Sequence, residues 1–328
     1  MKPVRWGVLG VSAHFRLRVF IPTRDSDLVH VNAVASRSLP KAENAAREFG
    51  IPKAYGSYEE LLDDKDIEAV FIPLPNHMHV EWIKKAADRG KHILCEKPLG
   101  MTAGEVREAI EYAAKKEVML MEAFMYKLHP QWQRARDLVF IGEIGRIMSV
   151  NTTFAYSLTD PDNIRNILAV GGGTIRDIGC YAVNSARFIL GKEPVRVFSH
   201  ITRDPNFKTD ILTSGILDFG DVHSEFMIGT QTFPFQRMDV HGTGGRITIR
   251  NPFNIFPDVP VRISVTNGVG KRDLHIGPAD QYAVEFDGFS RALREGKPVP
   301  TPPEDALNNQ KVLDALLRCE KSGKWEEV

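Results

Sequence analysis

Asp177 and Tyr181 stand four residues apart in Gly173-Thr174-Ile175-Arg176-Asp177-Ile178-Gly179-Cys180-Tyr181, behind the run Gly171-Gly172-Gly173. Read as a helix fed by a glycine turn, this spacing puts a carboxylate and a phenol on one face. Converting an alcohol to a carbonyl, or the reverse, requires a proton to leave or join the oxygen as hydride moves. A phenol titrates near ~10 in water, so it serves near neutrality only beside a cation. Lys97, in Glu96-Lys97-Pro98, is the candidate cation. Taken alone, a D-x-x-x-Y pair is more often a structural carboxylate beside a half-buried core phenol. A single Lys before a proline is usually a solvated turn residue.

The elements around these residues supply the context. Val4–Leu9 and Val29–Ala35 read as apolar strands, and 69–74 as a continuous apolar strand covered on both faces. Strands at 91–95 and 118–121 follow. Pro40 opens a helix that stops at Gly50, and Ser57 with Glu60, then Thr102 with Glu105, read as capping boxes. Strands alternating with helices predict a parallel, doubly wound Rossmann sheet with right-handed crossovers. The carboxyl ends of such strands line the ligand crevice, which is where Lys97 falls.

The grammar changes after residue 122. Pro130 opens an amphipathic helix, 146–154 reads as a strand, and the glycine run feeds a helix ending near Gly191. Segments 195–202, 212–219, 223–228, 238–241 and 246–250 then alternate as strands, with Gly220-Asp221 as a hairpin turn. Strands in succession predict an antiparallel sheet. Of two closing helices, the last has Thr301 as cap, Pro302 at its first position and Glu304 completing the box. The expected fold class is α/β: a Rossmann domain over 1–122, then an α+β domain over 123–328 with a large, open, mainly antiparallel sheet.

In the crevice, Gly10 ends the first strand where amides and a helix dipole would meet a pyrophosphate. The usual G-x-G-x-x-G/A is not intact. In Gly10-Val11-Ser12-Ala13-His14-Phe15, Ser12 takes the second glycine position and Phe15 the third. Ser12 still offers a hydroxyl and an amide, whereas Phe15 must pack differently against the sheet. The second strand ends in Ala35-Ser36-Arg37-Ser38, with no acid before Glu43. An NAD site wants an acid there for the ribose 2′-hydroxyl, whereas the planar fork of Arg37 suits a 2′-phosphate or the adenine face. Ser36 adds a donor, so NADP is expected over NAD; the alternative is a solvated Arg at a strand end. Leu74, Pro75 and Asn76 follow the strand at 69–74, and Asn76 and His79 are placed to approach nicotinamide and ribose. His77 and His79 diverge at i,i+2 and lack a third ligand, so no metal is expected. Lys127 and Arg165 are polar candidates for the cleft rim.

A length of 328 residues suits two domains. Basic and acidic residues balance at 42 each, which leaves no field for nucleic acid or an anionic membrane. No apolar stretch nears the ~20 residues of a membrane span, and MKPVRWGVLG lacks a signal-peptide layout. Cys95, Cys180 and Cys319, widely spaced and odd in number, suit free thiols in a reducing compartment, hence the cytoplasm.

In this order, ILCEKPL (93–99), LMEAFMYKLHPQ (120–131), NIR (163–165) and GGGTIRDIGCYAVN (171–184) resemble the Gfo/Idh/MocA oxidoreductases over essentially the whole chain. The resemblance is closest to the branch holding glucose–fructose oxidoreductase, dimeric dihydrodiol dehydrogenase and xylose dehydrogenases. It implies that Lys97 touches the substrate hydroxyl and nicotinamide region, that Asp177 binds substrate, and that Tyr181 is the acid/base, where many members carry histidine. It also implies NADP held by the loop Gly10, Ser12, Ala13, His14 and Phe15, by Ser36, Arg37 and Lys41, and by Leu74, Pro75, Asn76, His79 and Glu96, with Arg165 near the nicotinamide. The second domain is then the substrate and oligomerisation domain, making a homodimer or homotetramer. Departures are Ser12, Phe15, and Lys127 where the branch often has arginine. The expected activity is hydride transfer between NADP(H) and an aldose, other pyranose or cyclic polyol. A nucleotide-sugar ketoreductase, needing a wider cleft with a phosphate-facing arginine, is the rival enzyme. A non-catalytic dinucleotide sensor is the rival from another class. Specificity is expected in loops 157–170 and 253–275.

Overall fold

The computed structural model describes residues 1–12 and 14–328, so the expectation for Ala13 lies outside the described residues. The chain forms two compact units, one of Met1–Met125 with Gln281–Leu307, the other of Tyr126–Asp280 with Asn308–Val328.

The first unit is built on six parallel strands in the order β3-β2-β1-β4-β5-β6. They are β1 (Val4–Leu9), β2 (Val29–Ala35), β3 (Lys53–Tyr55), β4 (Ala69–Ile72), β5 (His92–Glu96) and β6 (Leu120–Ala123). The unbroken apolar runs are explained by two buried clusters, one around Leu61, Ile83 and Val106, the other around Trp6, Phe71 and Phe286. Short β3 went unread in the sequence. Both capping boxes form on one arm: Ser57 Oγ accepts from Glu60 N–H at 3.2 Å and Thr102 Oγ1 from Glu105 N–H at 3.2 Å. The returning carboxylates reach one residue further back, to Gly56 N–H at 3.1 Å and Met101 N–H at 2.8 Å.

Helix Gln281–Glu295 belongs to this unit because β1 carries a large aromatic residue that needs cover. Trp6 meets Phe286 at 4.9 Å and Phe289 at 5.2 Å between ring centroids. Its indole N–H donates to Ser290 Oγ at 3.1 Å, which satisfies a donor that burial would otherwise strand. Arg294 of the same helix grips Glu68 with two nitrogens, each at 2.9 Å.

The second unit holds nine strands in the order β14-β13-β12-β11-β7-β10-β9-β8-β15. They are β7 (Ile147–Ser157), β8 (Arg196–Arg203), β9 (Asp210–Asp218), β10 (His223–Gly229), β11 (Gln231–Gly242), β12 (Gly245–Ile249), β13 (Val261–Asn267), β14 (Gly270–Ile276) and β15 (Glu326–Glu327). The sheet is mainly antiparallel, as expected; one feature refines the sequence reading and two correct it. The β7–β10 pair is parallel, from Ser149 opposite His223 to Ala155 opposite Gly229. Helix Cys180–Leu190 separates β7 from β8, and the meander β8-β9-β10 walks back to meet β7 in its own direction. The stretch read as a specificity loop contains β13 and β14, with Val261, Ile263 and Val265 buried. The last helix runs Pro303–Ser322, so Pro303, not Pro302, opens it. No helix among the described residues is long and apolar enough to cross a membrane.

Candidate active site

In the first unit, Gly10 adopts φ +134°, a backbone region that residues with a side chain rarely enter. The turn is then closed from within: Ser12 Oγ accepts from Phe15 N–H at 3.2 Å and the Ser12 carbonyl from Arg16 N–H at 3.2 Å. Phe15 is fully buried, 6.4 Å from Phe20 and 5.7 Å from Phe49 between ring centroids. The missing third glycine is thus replaced by an aromatic plug at the start of the π-wound turn Phe15–Phe20. His14 Nε2 lies 2.9 Å from Glu96 Oε1. Burial alone would push the Glu96 carboxyl up, but the charge of His14 and its hydrogen bond outweigh that and hold it below the ordinary range. Glu285 is the opposite case. Its complete burial, with Glu96 adding to the effect, drives its pKa well up and favours a neutral acid.

At the end of β2, Ser36 is buried, donating its N–H to the Tyr55 carbonyl at 3.1 Å and accepting at Oγ from Ser38 N–H at 3.3 Å. Arg37 and Lys41 are exposed just beyond it. After β4 come Leu74, Pro75 and the turn Asn76–Met78. His79, expected to approach the cofactor, is fully buried with Nε2 at 2.7 Å from the Leu74 carbonyl and Nδ1 at 2.8 Å from the Pro98 carbonyl. Burial lowers its pKa despite the two carbonyls, and a neutral ring donates to one of them at a time. The imidazole is a strap between the loops after β4 and β5.

β5 ends at Glu96, one residue later than expected, so Lys97 is the first residue beyond the strand and is partly exposed. The loop bearing it is fastened on both sides. Lys97 N–H donates to Glu96 Oε2 at 3.3 Å, and the Lys97–Pro98 peptide is cis. His79 holds the Pro98 carbonyl, and buried Glu122 accepts from Leu99 N–H at 2.8 Å. Glu122 escaped the sequence reading because it sits inside a Met- and aromatic-rich stretch that reads as core. A left-handed glycine after β1, two exposed cations after β2 and a pinned loop presenting Lys97 after β5 fit a phosphorylated dinucleotide along the strand ends.

In the second unit the glycine run has a steric cause. A Cβ on Gly172 would stand 2.5 Å from the Arg165 carbonyl oxygen. Gly173, at φ +121°, has no room for one either, because the Asp210 carboxylate lies on it. Asp210 is buried, which raises its pKa, and its Oδ2 accepts from Ile175 N–H at 2.6 Å. This carboxylate starts the turn Ile175–Gly179, which is π-wound and leads into helix Cys180–Leu190. Asp177 therefore sits in the π-turn and Tyr181 in the α-helix, so the simple i,i+4 geometry of the sequence reading is widened.

Packing Gly172 on the Arg165 carbonyl sets Arg165 beside Asp177, with Nε at 3.0 Å from Oδ1. Tyr156 of β7, which the sequence reading missed, donates its hydroxyl to Asp177 Oδ2. Burial and the neighbouring carboxylate push the Tyr156 phenol well up, so it remains a donor. Its signal in the sequence was the alternation Phe154-Ala155-Tyr156, which turns both aromatic residues to one face of β7. Tyr181 is buried in an aromatic nest, its ring 5.2 Å from Phe253, 5.8 Å from Phe154 and 5.9 Å from Tyr126. Lys127, expected at the rim, is buried with Nζ 5.3 Å from the Phe188 ring.

A doubly wound nucleotide fold followed by a mixed-sheet unit bearing these polar residues defines a two-unit dinucleotide oxidoreductase. The family described as "Oxidoreductase family, NAD-binding Rossmann fold" matches residues 4–124, and the "GFO/IDH/MocA C-terminal domain" matches residues 132–248. An "Uncharacterized oxidoreductase ORF334" of Rhizobium meliloti is 39% identical, with 100% of both chains covered. The D-xylose 1-dehydrogenase (NADP(+)) 2 of Haloferax volcanii is 36% identical, covering 98% of this chain and 99% of its own. A 3-ketoreductase from Actinomadura kijaniata, solved with NADP and TDP-benzene, is similar at TM-score 0.91 and 27% identity, covering 96% of this chain and 97% of its own. The chain belongs to the Gfo/Idh/MocA oxidoreductase family.

Proposed function

We propose that this protein is an NADP(H)-dependent oxidoreductase acting on a hydroxyl or carbonyl carbon of a sugar or related cyclic polyol. The observation that carries the reading is Asp177, fixed between the Tyr156 hydroxyl and the Arg165 guanidinium four residues before Tyr181. Arg165 engages Oδ1 and Tyr156 Oδ2, which fixes the orientation of the carboxylate as an acceptor for substrate hydroxyls, as sugar recognition requires. The nicotinamide, when bound, supplies the site that accepts or gives hydride. Tyr181 takes up or returns the proton on the reacting oxygen. Lys97 orients that oxygen and, as a cation, favours the phenolate. Arg37, with Ser36 and Lys41, takes the 2′-phosphate, in keeping with the NADP-dependent relatives.

The second reading is reduction of a nucleotide-linked keto-sugar, favoured by the TDP-benzene complex of the structural relative. The three cysteines are buried and not paired in disulfides, which suits a reducing cytoplasm. Association into a homodimer or homotetramer through the large sheet belongs to the same reading, with Phe233 and Phe235 exposed on β11. The test is a spectrophotometric screen at ~340 nm with both cofactors against aldoses, polyols, keto-sugars and nucleotide-linked sugars. Turnover with NADP(H) on at least one class is expected. Tight NADPH binding without turnover on any of them would replace the enzyme by a sensor.

A further inference from the structure

A cavity of about 560 Å³ opens in the second unit, within the usual range of small-molecule sites. Its lining includes Tyr156, Phe235, Gln236, Arg237, Arg250 and Asn254. The walls are built rather than loose. Gln236 Oε1 accepts from Phe253 N–H and Asn254 N–H, each at 3.0 Å, while Gln131 donates to the Asn251 carbonyl at 3.0 Å and Trp132 to the Pro252 carbonyl at 2.6 Å. The lining contains two guanidinium groups and no carboxylate. Arg237 is already matched, gripping Asp239 at 2.5 and 3.0 Å. Arg250 is exposed and makes no close ion pair or hydrogen bond among the described residues, its nearest compensation being the longer-range field of Asp273. Tyr156 belongs both to this lining and, through its hydroxyl, to the Asp177 hydrogen bond, so one side chain links the cavity wall to the proposed substrate carboxylate.

We propose that this cavity is a subsite for an anionic, phosphoryl-bearing arm of the sugar substrate, with Arg250 as its counter-charge. A phosphoryl oxygen pair matches the planar fork of the Arg250 guanidinium, and the cavity lining holds no carboxylate to repel it. Phe235 offers an apolar face and Asn254 an amide beside it. The proposal rests on the functional reading above for the placement of the sugar ring, but not for the anion.

The test is calorimetric titration of the full chain, saturated with NADPH so that its own diphosphate site is filled, with pyrophosphate and with a nucleoside diphosphate. Both are expected to bind and to raise the apparent KM of whichever sugar the chain turns over. Nucleoside diphosphate binding more tightly than pyrophosphate identifies a nucleotide-linked arm, and equal affinity a simple phosphate ester. Arg250→Gln should weaken anion binding at least about tenfold, and Arg250→Lys should restore most of it. No binding of either anion at millimolar concentration, or unchanged binding in Arg250→Gln, overturns the subsite. Because the titration reads binding alone, failure of every sugar to turn over would sink the functional reading without touching this result.

Discussion

His79 and Pro98 are joined across the first unit: the imidazole Nδ1 stands 2.8 Å from the Pro98 carbonyl oxygen. The other ring nitrogen meets Leu74 at 2.7 Å, so one buried side chain sets the spacing of the loops after β4 and β5. Lys97 rides on the second of these loops. His79→Ala should lower kcat at least ~10-fold while changing the Kd for NADPH less, because it moves the ammonium rather than the cofactor. It should also lower stability by about 1–3 kcal/mol through the buried carbonyl that loses its donor. Stopped-flow turnover beside NADPH fluorescence titration separates the two effects; equal losses in both would make His79 a stability residue only.

Arg37 stands exposed at the end of β2, where no acid competes for the ribose. Arg37→Ala should raise the Kd for NADPH by roughly 10–100-fold and leave NADH within about threefold, the difference being one charge-assisted phosphate contact. Parallel loss for both cofactors would place Arg37 on the adenine instead.

Phe15 occupies the last position of the usual glycine fingerprint and is fully buried. Restoring the consensus with Phe15→Gly should destabilise the protein by about 3–5 kcal/mol, since it empties a site packed on Phe20 and Phe49. Urea unfolding followed by tryptophan fluorescence measures this. A variant that binds NADPH more tightly at no cost in stability would show that the plug has no role.

How much of this was legible before the coordinates follows a physical division. β1 and β2 end where the apolar runs end, because unbroken hydrophobic strands flanked by helices leave little freedom of interpretation. Lys97 was legible as a strand-end residue for the same reason. Tyr156, Asp210 and Glu122 were not, because their roles depend on partners 21, 35 and 23 residues away. The parallel β7–β10 pair was hidden because pairing direction depends on where the meander β8-β9-β10 returns, and no local pattern records that. β13 could have been read from the alternation of Val261, Ile263 and Val265, but the Pro- and Asn-rich stretch before it masked the strand.

Glu68 ties helix Gln281–Glu295 to the first unit through Arg294. The Arg294 hydrogen bonds hold its carboxyl below the ordinary glutamate range, against a smaller upward push from burial. A depressed carboxylate stabilises the fold above its unfolded value of ~4.3, and that contribution is lost as pH falls through the folded value. Glu68→Gln should therefore cost about 1 kcal/mol or less at pH ~7, given the partial exposure of the pair, and the deficit should shrink as pH falls through the folded value. Differential scanning calorimetry of the two proteins from neutral pH into acid checks the sign; a deficit that grows in acid would contradict it.

The central claim is that the Tyr181 phenol carries the proton of a hydride transfer to or from a sugar carbon. Single-turnover kinetics of Tyr181→Phe, saturated with cofactor and with the best substrate from the screen, test it directly. The rate of nicotinamide oxidation or reduction should fall ~10²–10⁴-fold while NADPH binding persists. A Tyr181→Phe enzyme that turns over at the parent rate would contradict the assignment.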